Sequence, residues 1–410
     1  MRVAETVERT KDHIARCVRI SNILALWTMT TPETELKIVF ARHLYWAVQA
    51  SELLRARLAE LAVDVDPRRM VAPRATLLDD LAASEAALTT PEKMRTLYGV
   101  AMVNLRQSLT DHLSKTGALA DEPTVRILSD LVTSAARIAE EADTAFQSVC
   151  EIFPNIERVS SSNGEHLAPK IPLRPARDYR FAENANDPNL TDTVKLLHVF
   201  YTDLEISTIE ACGRLIVEFP TMPWQFVVDM ARQCWDEARH AEAFRTRLLQ
   251  LGGRLGTYAM SYALWDMAAG ESIEVSLAVQ QRVGEWVGVD GAIWQAQQLQ
   301  FGGDEITSEL FEFVALDEIT HVSFGNKWLR QVAGSDSKVK LVHDLALQKR
   351  SACGKSVDGP LTFPYNDWAC ERGGFTESER DELRGRFLKF GSQFQSPDQT
   401  RERERIARKG

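Results

Sequence analysis

The sequence has 410 residues, of which 44% are hydrophobic and 26% are charged, a balance that predicts a globular chain with a sizeable core. Its formal net charge of −10 would repel a phosphate backbone, which argues against a broad nucleic-acid surface. No apolar run approaches the roughly 18 residues of a membrane span, and the charged N-terminal segment lacks the apolar core of a signal peptide. We therefore expect a protein that acts on a small molecule and has no membrane partner.

The cysteines indicate the redox environment. All six stand singly along the chain, with no CxxC pair and no dense disulfide framework. This spacing is typical of reduced thiols. We therefore expect a cytoplasmic location.

The N-terminal part of the chain shows helical periodicity. Apolar residues recur at helical spacing over 33–61, and similar patterns occupy 92–114 and 123–150. The following segment differs, because five prolines alternate there with the polar stretch SSSNGE. We therefore predict an N-terminal helical domain over 1–152 and a proline-rich connector over 153–188.

Four long helical patterns follow the connector. Glycines at 252–253, 288 and 302–303 punctuate them, where C-caps and turns are expected. The patterns cover about 189–219, 221–251, 255–288 and 304–333. Helices of about thirty residues joined by short turns are typical of a four-helix bundle with one longer crossover.

The predicted fold is therefore all-α. It consists of the N-terminal helical domain, a four-helix bundle over 189–333, and a mixed extension over 334–410. Within the extension, periodicity predicts a short helix near 338–350 and another from about 376 to 391.

Two copies of one motif, DExxH, stand on the second and fourth helices of the predicted bundle. Their residues are Asp236, Glu237 and His240 in the first copy and Asp317, Glu318 and His321 in the second. On a helix, residues three apart lie on one face, so each Glu and His can converge on one metal ion. Composition alone predicts an acidic-acidic-x-x-His string roughly 0.16 times in this chain, so two copies argue against coincidence.

A dinuclear site in such a bundle needs one more Glu from the first helix. The candidates there are Glu205 and Glu210. Glu205 lies 32 residues before Glu237, a helix-turn-helix distance that brings the two to a similar height in antiparallel neighbours. We favour Glu205 and keep Glu210 as a weaker alternative, together with His198, which falls on roughly the same face.

The third helix must supply the other Glu. Glu285 precedes Glu318 by 33 residues, which nearly repeats the first spacing. Glu271 and Glu274 lie closer to the start of the predicted helix. We favour Glu285 and keep Glu274 as the weaker alternative.

The aspartates of the two motifs have a role in the same site. A metal-bound His normally donates its other ring N–H to a carboxylate. We expect Asp236 to accept from His321 and Asp317 to accept from His240; the alternative is that both are plain solvent-exposed acids.

The ligand set indicates the metal and the reaction class. Carboxylate and imidazole ligands without a thiolate favour iron or manganese over zinc. A buried polar network without metal is the alternative, but four carboxylates in one core would repel one another without cations. Two irons can each give an electron to O2, so we expect O2 activation with an external electron donor, and an iron–manganese pair stays open.

The motifs also indicate a family. The double DExxH with Glu at these offsets resembles the ferritin-like diiron-carboxylate superfamily, which includes ribonucleotide reductase small subunits, bacterial multicomponent monooxygenases and tRNA-modifying hydroxylases. Several stretches are similar to successive segments of one ferritin-like family of unknown function: LLHVFYTDLEISTIEA, WDEARHAEAF, QRVGEWVGVDG, LDEITHVSFGNKWL and GPLTFPYNDWACERGGF. This resemblance covers roughly 165–390 and implies Glu285 as the third-helix ligand. Asp203 stands where that family has a His, which could mean a changed substrate.

We therefore expect a diiron oxidase or oxygenase whose ligands are Glu205, Glu237, His240, Glu285, Glu318 and His321. It would oxidise a small organic, biosynthetic substrate by hydroxylation, N-oxygenation, desaturation or C–C cleavage, with the metal centre itself as the catalyst. The alternatives are a tRNA-modifying hydroxylase, a ferroxidase or iron-storage protein, and a scaffold with a vestigial site. The N-terminal extension would make a storage cage awkward, and a homodimer stays open.

Overall fold

A computed structural model describes residues 1–70, 88–153, 166–168, 171–178, 180, 191–352 and 363–390. Over these ranges the chain is almost entirely helical, which confirms the all-α prediction. Two very short strands, β1 (His166–Ala168) and β2 (Ile171–Pro172), form an antiparallel pair. The four-helix bundle stays a prediction.

The helices of the N-terminal part include α1, which has no counterpart among the predicted helices. They are α1 (Val3–Thr30), α2 (Thr34–Glu60), α3 (Thr90–Thr96), the π-helical segment π1 (Leu97–Ala101), α4 (Met102–Lys115) and α5 (Ala118–Ile152), with a 3-10 turn at Pro67–Arg69. Local chemistry sets the start of α3, since Thr89 and Glu92 form a reciprocal capping box and Pro91 fills its first turn.

Two further π-helical segments interrupt the helices of the C-terminal part. The elements are α6 (Asp192–Val199), π2 (Phe200–Ile206), α7 (Ser207–Glu218), α8 (Trp224–Gln250), α9 (Ala263–Asp266), α10 (Ile273–Ser276), π3 (Leu277–Gly284), α11 (Glu285–Phe301), α12 (Glu305–Ala333), α13 (Asp336–Ala352), α14 (Asp367–Arg372) and α15 (Glu377–Phe390). The predicted helices over 189–219, 221–251 and 304–333 agree with these elements within a few residues.

The limits of the third predicted helix are wrong. The pattern over 255–288 predicts one helix, but the continuous helical run begins at Ile273 and ends at Phe301. The start fails at Gly256, whose φ of +77° is left-handed and where a Cβ would lie 2.2 Å from the carbonyl oxygen of Arg180. Gly288 lies inside α11 and does not end a helix.

The chain forms two compact units. The first unit is Met1–Glu242 with Arg254–Met260, and the second is Ala243–Gly253 with Ser261–Gly410. The predicted domain boundaries stay a prediction, and most of the predicted connector over 153–188 lies outside the described residues.

In the first unit, α1 packs against α2 and α7. Gly213 on α7 permits a close crossing, because a Cβ there would lie 2.2 Å from Oγ1 of Thr28 on α1. The second unit contains a helical hairpin in which α11 packs against α12. Across this hairpin the Ser308 hydroxyl donates to the carbonyl oxygen of Ala296 at 2.8 Å.

Among the described residues, no helix combines the length and the apolar composition that a membrane span requires. Of the six cysteines, five lie in the described ranges, and all five are free thiols.

Candidate metal centre

The first unit brings together three of the predicted ligands. Glu205 lies in π2, whereas Glu237 and His240 lie one turn apart on α8. All three side chains are buried. Nδ1 of His240 is 3.4 Å from Oε2 of Glu205 and 3.5 Å from Oε2 of Glu237. Nε2 of Gln233 donates to the other oxygen of Glu237 at 3.2 Å, so this carboxylate is held in place.

The second unit brings together the other three. Glu285 is the first residue of α11, directly after π3, and Glu318 and His321 lie one turn apart on α12. These side chains are also buried. Nδ1 of His321 lies 3.1 Å from Oε2 of Glu318, so the spacing of the motif places the imidazole against the carboxylate, as on any helix face.

Two groups of buried Glu and His side chains could hold a metal ion. One ligand atom from each member lies within 4.8 Å of the others in its group. The first group is Glu205, Glu237, His240 and Glu318, and the second is Glu237, Glu285, Glu318 and His321. All six predicted ligands occur in these groups, and two carboxylates occur in both.

The electrostatics of the first group favour a cation. Burial raises the pKa of Glu205 well above its ordinary value, and the charge of Glu237 raises it further, whereas the hydrogen bond with His240 lowers it. Ionised carboxylates are costly to bury and repel one another. A positive ion among them would remove both costs.

Sequence reasoning missed the π-helical character of the two segments that carry single ligands. Glu205 lies within π2, and Glu285 directly follows π3. Such segments are rare and frequently occur at functional sites. They also occur without such residues, since π1 contains no Glu or His. The choice between α and π hydrogen bonding leaves no recognisable pattern in the residues, so no sequence signal could have revealed it.

The weaker candidates for ligands belong to neither group. Glu210 is fully buried, but Lys37 contacts it at 2.8 Å and Arg177 contacts it at 2.9 Å, so its charge is compensated by protein cations. Glu274 pairs with Lys338 at 2.6 Å. Both carboxylates therefore have a structural role in ion pairs.

The two motif aspartates and His198 differ in burial and in their contacts. Asp236 is buried and accepts hydrogen bonds from Arg232 and Arg239. Asp317 is partly buried. The predicted hydrogen bonds from the imidazoles of His321 and His240 to these aspartates stay a prediction. His198 is fully buried, outside both groups, with its ring edge-on to Tyr258, and burial lowers its pKa to about 4.

The fold and these groups define a class: an all-helical protein with buried Glu and His clusters that could hold a metal ion. The chain matches a family described as "Protein of unknown function (DUF455)" over residues 131–381. Because the match covers more than half of the chain, the protein belongs to this family. The matched range contains both groups. No curated protein and no solved structure matches the chain.

Proposed function

We propose that the protein is an O2-activating diiron oxidase or oxygenase of a small organic substrate. One observation carries the proposal: the two buried groups share Glu237 and Glu318. Glu237 and Glu318 would therefore help to hold both ions, and each group keeps one imidazole of its own. One Glu from each of two helices plus Glu-x-x-His from two others is the ligand pattern of dinuclear carboxylate sites.

The chemistry of the donors supports iron. Each group offers three carboxylates and one imidazole, and neither contains a thiol. Cys234 lies three residues before Glu237, but burial raises the pKa of its thiol, which contacts the carbonyl oxygen of Ile209. Carboxylate and imidazole donors favour iron or manganese over zinc. Two bound irons would supply electrons to O2, and an external donor would restore them.

The orientation of the two histidines indicates which imidazole nitrogen would bind the metal. In both DExxH motifs it is the Nδ1 atom that faces the carboxylates, as His240 and His321 show. We infer that Nδ1 binds the metal and that Nε2 donates to an outer partner, which fixes the tautomer. Burial of the ligands limits access by bulk water.

Oxygen uptake tests the proposal. Protein loaded anaerobically with Fe(II) and desalted should consume O2 at an electrode, and Glu318→Ala should reduce the rate. Removing an outer-shell partner of a metal ligand typically lowers activity roughly tenfold to hundredfold, so the loss of a ligand should lower the rate of O2 uptake by at least as much. Glu274→Ala is the matched control, because Glu274 pairs with Lys338 and belongs to neither group. Equal uptake by the native protein and Glu318→Ala would contradict the proposal.

A second phase of the same experiment separates an oxygenase from a ferroxidase. A ferroxidase stops consuming O2 once its loaded Fe(II) is oxidised. An oxidase or oxygenase given ascorbate as reductant continues when a substrate is added. Screening small organic compounds for this continued uptake therefore identifies the substrate.

A further inference from the structure

A tyrosine, a histidine and a glutamate form a chain of polar contacts inside the first unit. The hydroxyl of Tyr98 lies 2.8 Å from Nδ1 of His43, a hydrogen bond between two buried side chains. Nε2 of the same imidazole lies 3.5 Å from Oε2 of Glu141. Three elements converge here, because Tyr98 belongs to π1, His43 to α2 and Glu141 to α5. A hydroxyl, a base and a group that orients the base are the usual parts of a reactive site, and π-helical segments are frequent at such sites.

The surroundings fix the protonation state of each member of this chain. Burial raises the pKa of Tyr98 well above its ordinary value, so the phenol keeps its proton. Burial also lowers the pKa of His43, although Glu141 opposes the shift, so the imidazole is neutral at pH 7. The imidazole and the guanidinium of Arg42 lower the pKa of Glu141 to about 2, so this carboxylate is ionised. The imidazole can therefore accept a proton from the phenol and would then carry its positive charge beside an anion.

These protonation states favour a redox role over a nucleophilic one. A nucleophilic phenol must lose its proton before it reacts, and the raised pKa of Tyr98 opposes this loss. Oxidation differs, because a phenol that loses an electron becomes a strong acid and passes its proton to a hydrogen-bonded base. Nδ1 of His43 is such a base, and Glu141 would stabilise the imidazolium that forms.

Two other tyrosines show what this arrangement adds. The hydroxyl of Tyr201, which is also buried, donates to Oγ1 of Thr34 at 2.7 Å, and a hydroxyl is a poor proton acceptor. The hydroxyl of Tyr365 donates to Asp367 at 3.0 Å. Partial burial raises the pKa of that carboxyl, but pairing with two arginines outweighs this effect and lowers it, which makes the carboxylate a weak base. Tyr98 differs from both in that its hydroxyl contacts a neutral imidazole.

Helix α2 connects Tyr98 to the segments that hold metal ligands of the first unit. It carries His43, and it packs against π2, which contains Glu205. Its Tyr45 also stacks on Trp235 of α8, directly before the first DExxH motif, with ring centroids 5.1 Å apart. Packed helices lie about 8–10 Å apart, so no more than about two such spacings separate Tyr98 from these ligands. The stacked pair divides this distance into shorter steps for an electron.

We propose that Tyr98 is a redox-active tyrosine that gives one electron to the oxidised metal centre while its phenolic proton passes to Nδ1 of His43. This inference rests on the proposed function, which supplies the one-electron oxidant: the dinuclear centre after its reaction with O2. The O–H bond of Tyr98 breaks and an N–H bond forms on His43. The products are a neutral phenoxyl radical, an imidazolium beside Glu141, and a metal centre reduced by one electron. The external donor returns an electron to the radical, and the proton moves back; Glu141 is a positioning residue in this reaction.

Electron paramagnetic resonance tests the inference. Protein loaded anaerobically with Fe(II) and desalted is mixed with O2 and frozen at successive times, and O2 consumption is recorded on the same preparation. We expect a radical signal in the native protein that narrows when ring-deuterated tyrosine is incorporated, which assigns the signal to a tyrosine. The signal should be absent in Tyr98→Phe and unchanged in Tyr201→Phe. Tyr201 is the matched control, because it is buried and lies one turn before Glu205 but lacks the imidazole.

The role of the base is tested by His43→Gln. The carboxamide can still hydrogen-bond to the hydroxyl of Tyr98, but it cannot take up the proton, so the tyrosyl signal should form roughly a hundredfold more slowly. A structural hydrogen bond would not predict this loss. Melting temperature and iron content are measured for every variant, so that a folding defect or a loss of metal is recognised.

Three results would overturn the inference while leaving the proposed function intact. They are O2 consumption by the native protein without a tyrosyl signal, a signal that persists in Tyr98→Phe, and a signal that forms equally fast in His43→Gln. Native protein that retains no iron or consumes no O2 has a different meaning. It would refute the proposed function and remove the oxidant on which the inference depends.

Discussion

Nδ1 of His240 lies 3.4 Å from Oε2 of Glu205, although 35 residues separate them and they lie on different helical segments. The contact joins a Glu of π2 to a DExxH motif of α8. Both residues are buried. The first unit therefore keeps three ionisable side chains together in its interior. This arrangement lowers the stability of the fold, and such costs are typical of functional sites.

Two glutamates of the first unit should respond in opposite ways to neutralisation. Glu205→Gln should abolish iron retention but leave the metal-free protein as stable or more stable, because burial and the charge of Glu237 already raise the pKa of Glu205. Glu210→Gln should keep iron but lower the free energy of unfolding by roughly 3 kcal/mol, because it leaves Lys37 and Arg177 without their shared anion. Urea unfolding and iron analysis of both variants check this. Iron loss in Glu210→Gln with retention in Glu205→Gln would reverse our assignment.

Alanine substitutions at two glycines of the second unit test how tightly its helices pack, with one variant as the control for the other. A Cβ on Gly325 of α12 would lie 2.7 Å from the carbonyl carbon of Gln281, so Gly325→Ala must push α12 away from π3. We expect a loss of about 1–3 kcal/mol in the free energy of unfolding, with weaker iron retention. In Gly288→Ala the Cβ would lie 3.9 Å from the carboxyl carbon of Glu318, an ordinary contact. Its stability should change by less than about 1 kcal/mol. Equal effects in both variants would show that the crossing of π3 and α12 is not tight.

Ionisation of Asp290 should make the protein less stable as the pH rises. This side chain is buried on α11, where Nδ2 of Asn366 donates to it at 2.8 Å, and burial raises its pKa to about 8. The folded state therefore keeps a proton that the unfolded state releases near its ordinary pKa of about 3.9. The stabilisation is complete below that value and is lost progressively as the pH rises towards 8.

Asp290→Asn should remove this dependence, because the amide is neutral at every pH. Between about pH 5 and about pH 7.5, the native protein should lose stability relative to the variant by about 1 kcal/mol per pH unit. Urea unfolding of both proteins at a series of pH values measures the difference. Parallel curves would show that Asp290 is ionised in the folded protein.

Local features of the site could be predicted from the sequence. Residues three apart on a helix share a face, so the DExxH spacing alone places Glu237 beside His240 and Glu318 beside His321. Matching offsets along the chain then favoured Glu205 and Glu285, and both occur in the buried groups. These inferences hold because helical geometry is regular.

Features that depend on contacts distant in sequence could not be predicted. The predicted start of the helix over 255–288 is wrong because Gly256 packs against the backbone of Arg180. No local sequence pattern encodes that contact. Gly288 resembles a helix end in the sequence, yet α11 runs through it.

Metal content tests the central claim most directly. The native protein and Glu318→Ala are loaded anaerobically with Fe(II), desalted, and analysed for iron per chain by mass spectrometry, with Glu274→Ala as control. We expect about two irons per native chain, the same in Glu274→Ala, and a clear loss in Glu318→Ala, because Glu318 belongs to both groups. No iron in the native protein, or equal iron in Glu318→Ala, would contradict a dinuclear iron site at these residues.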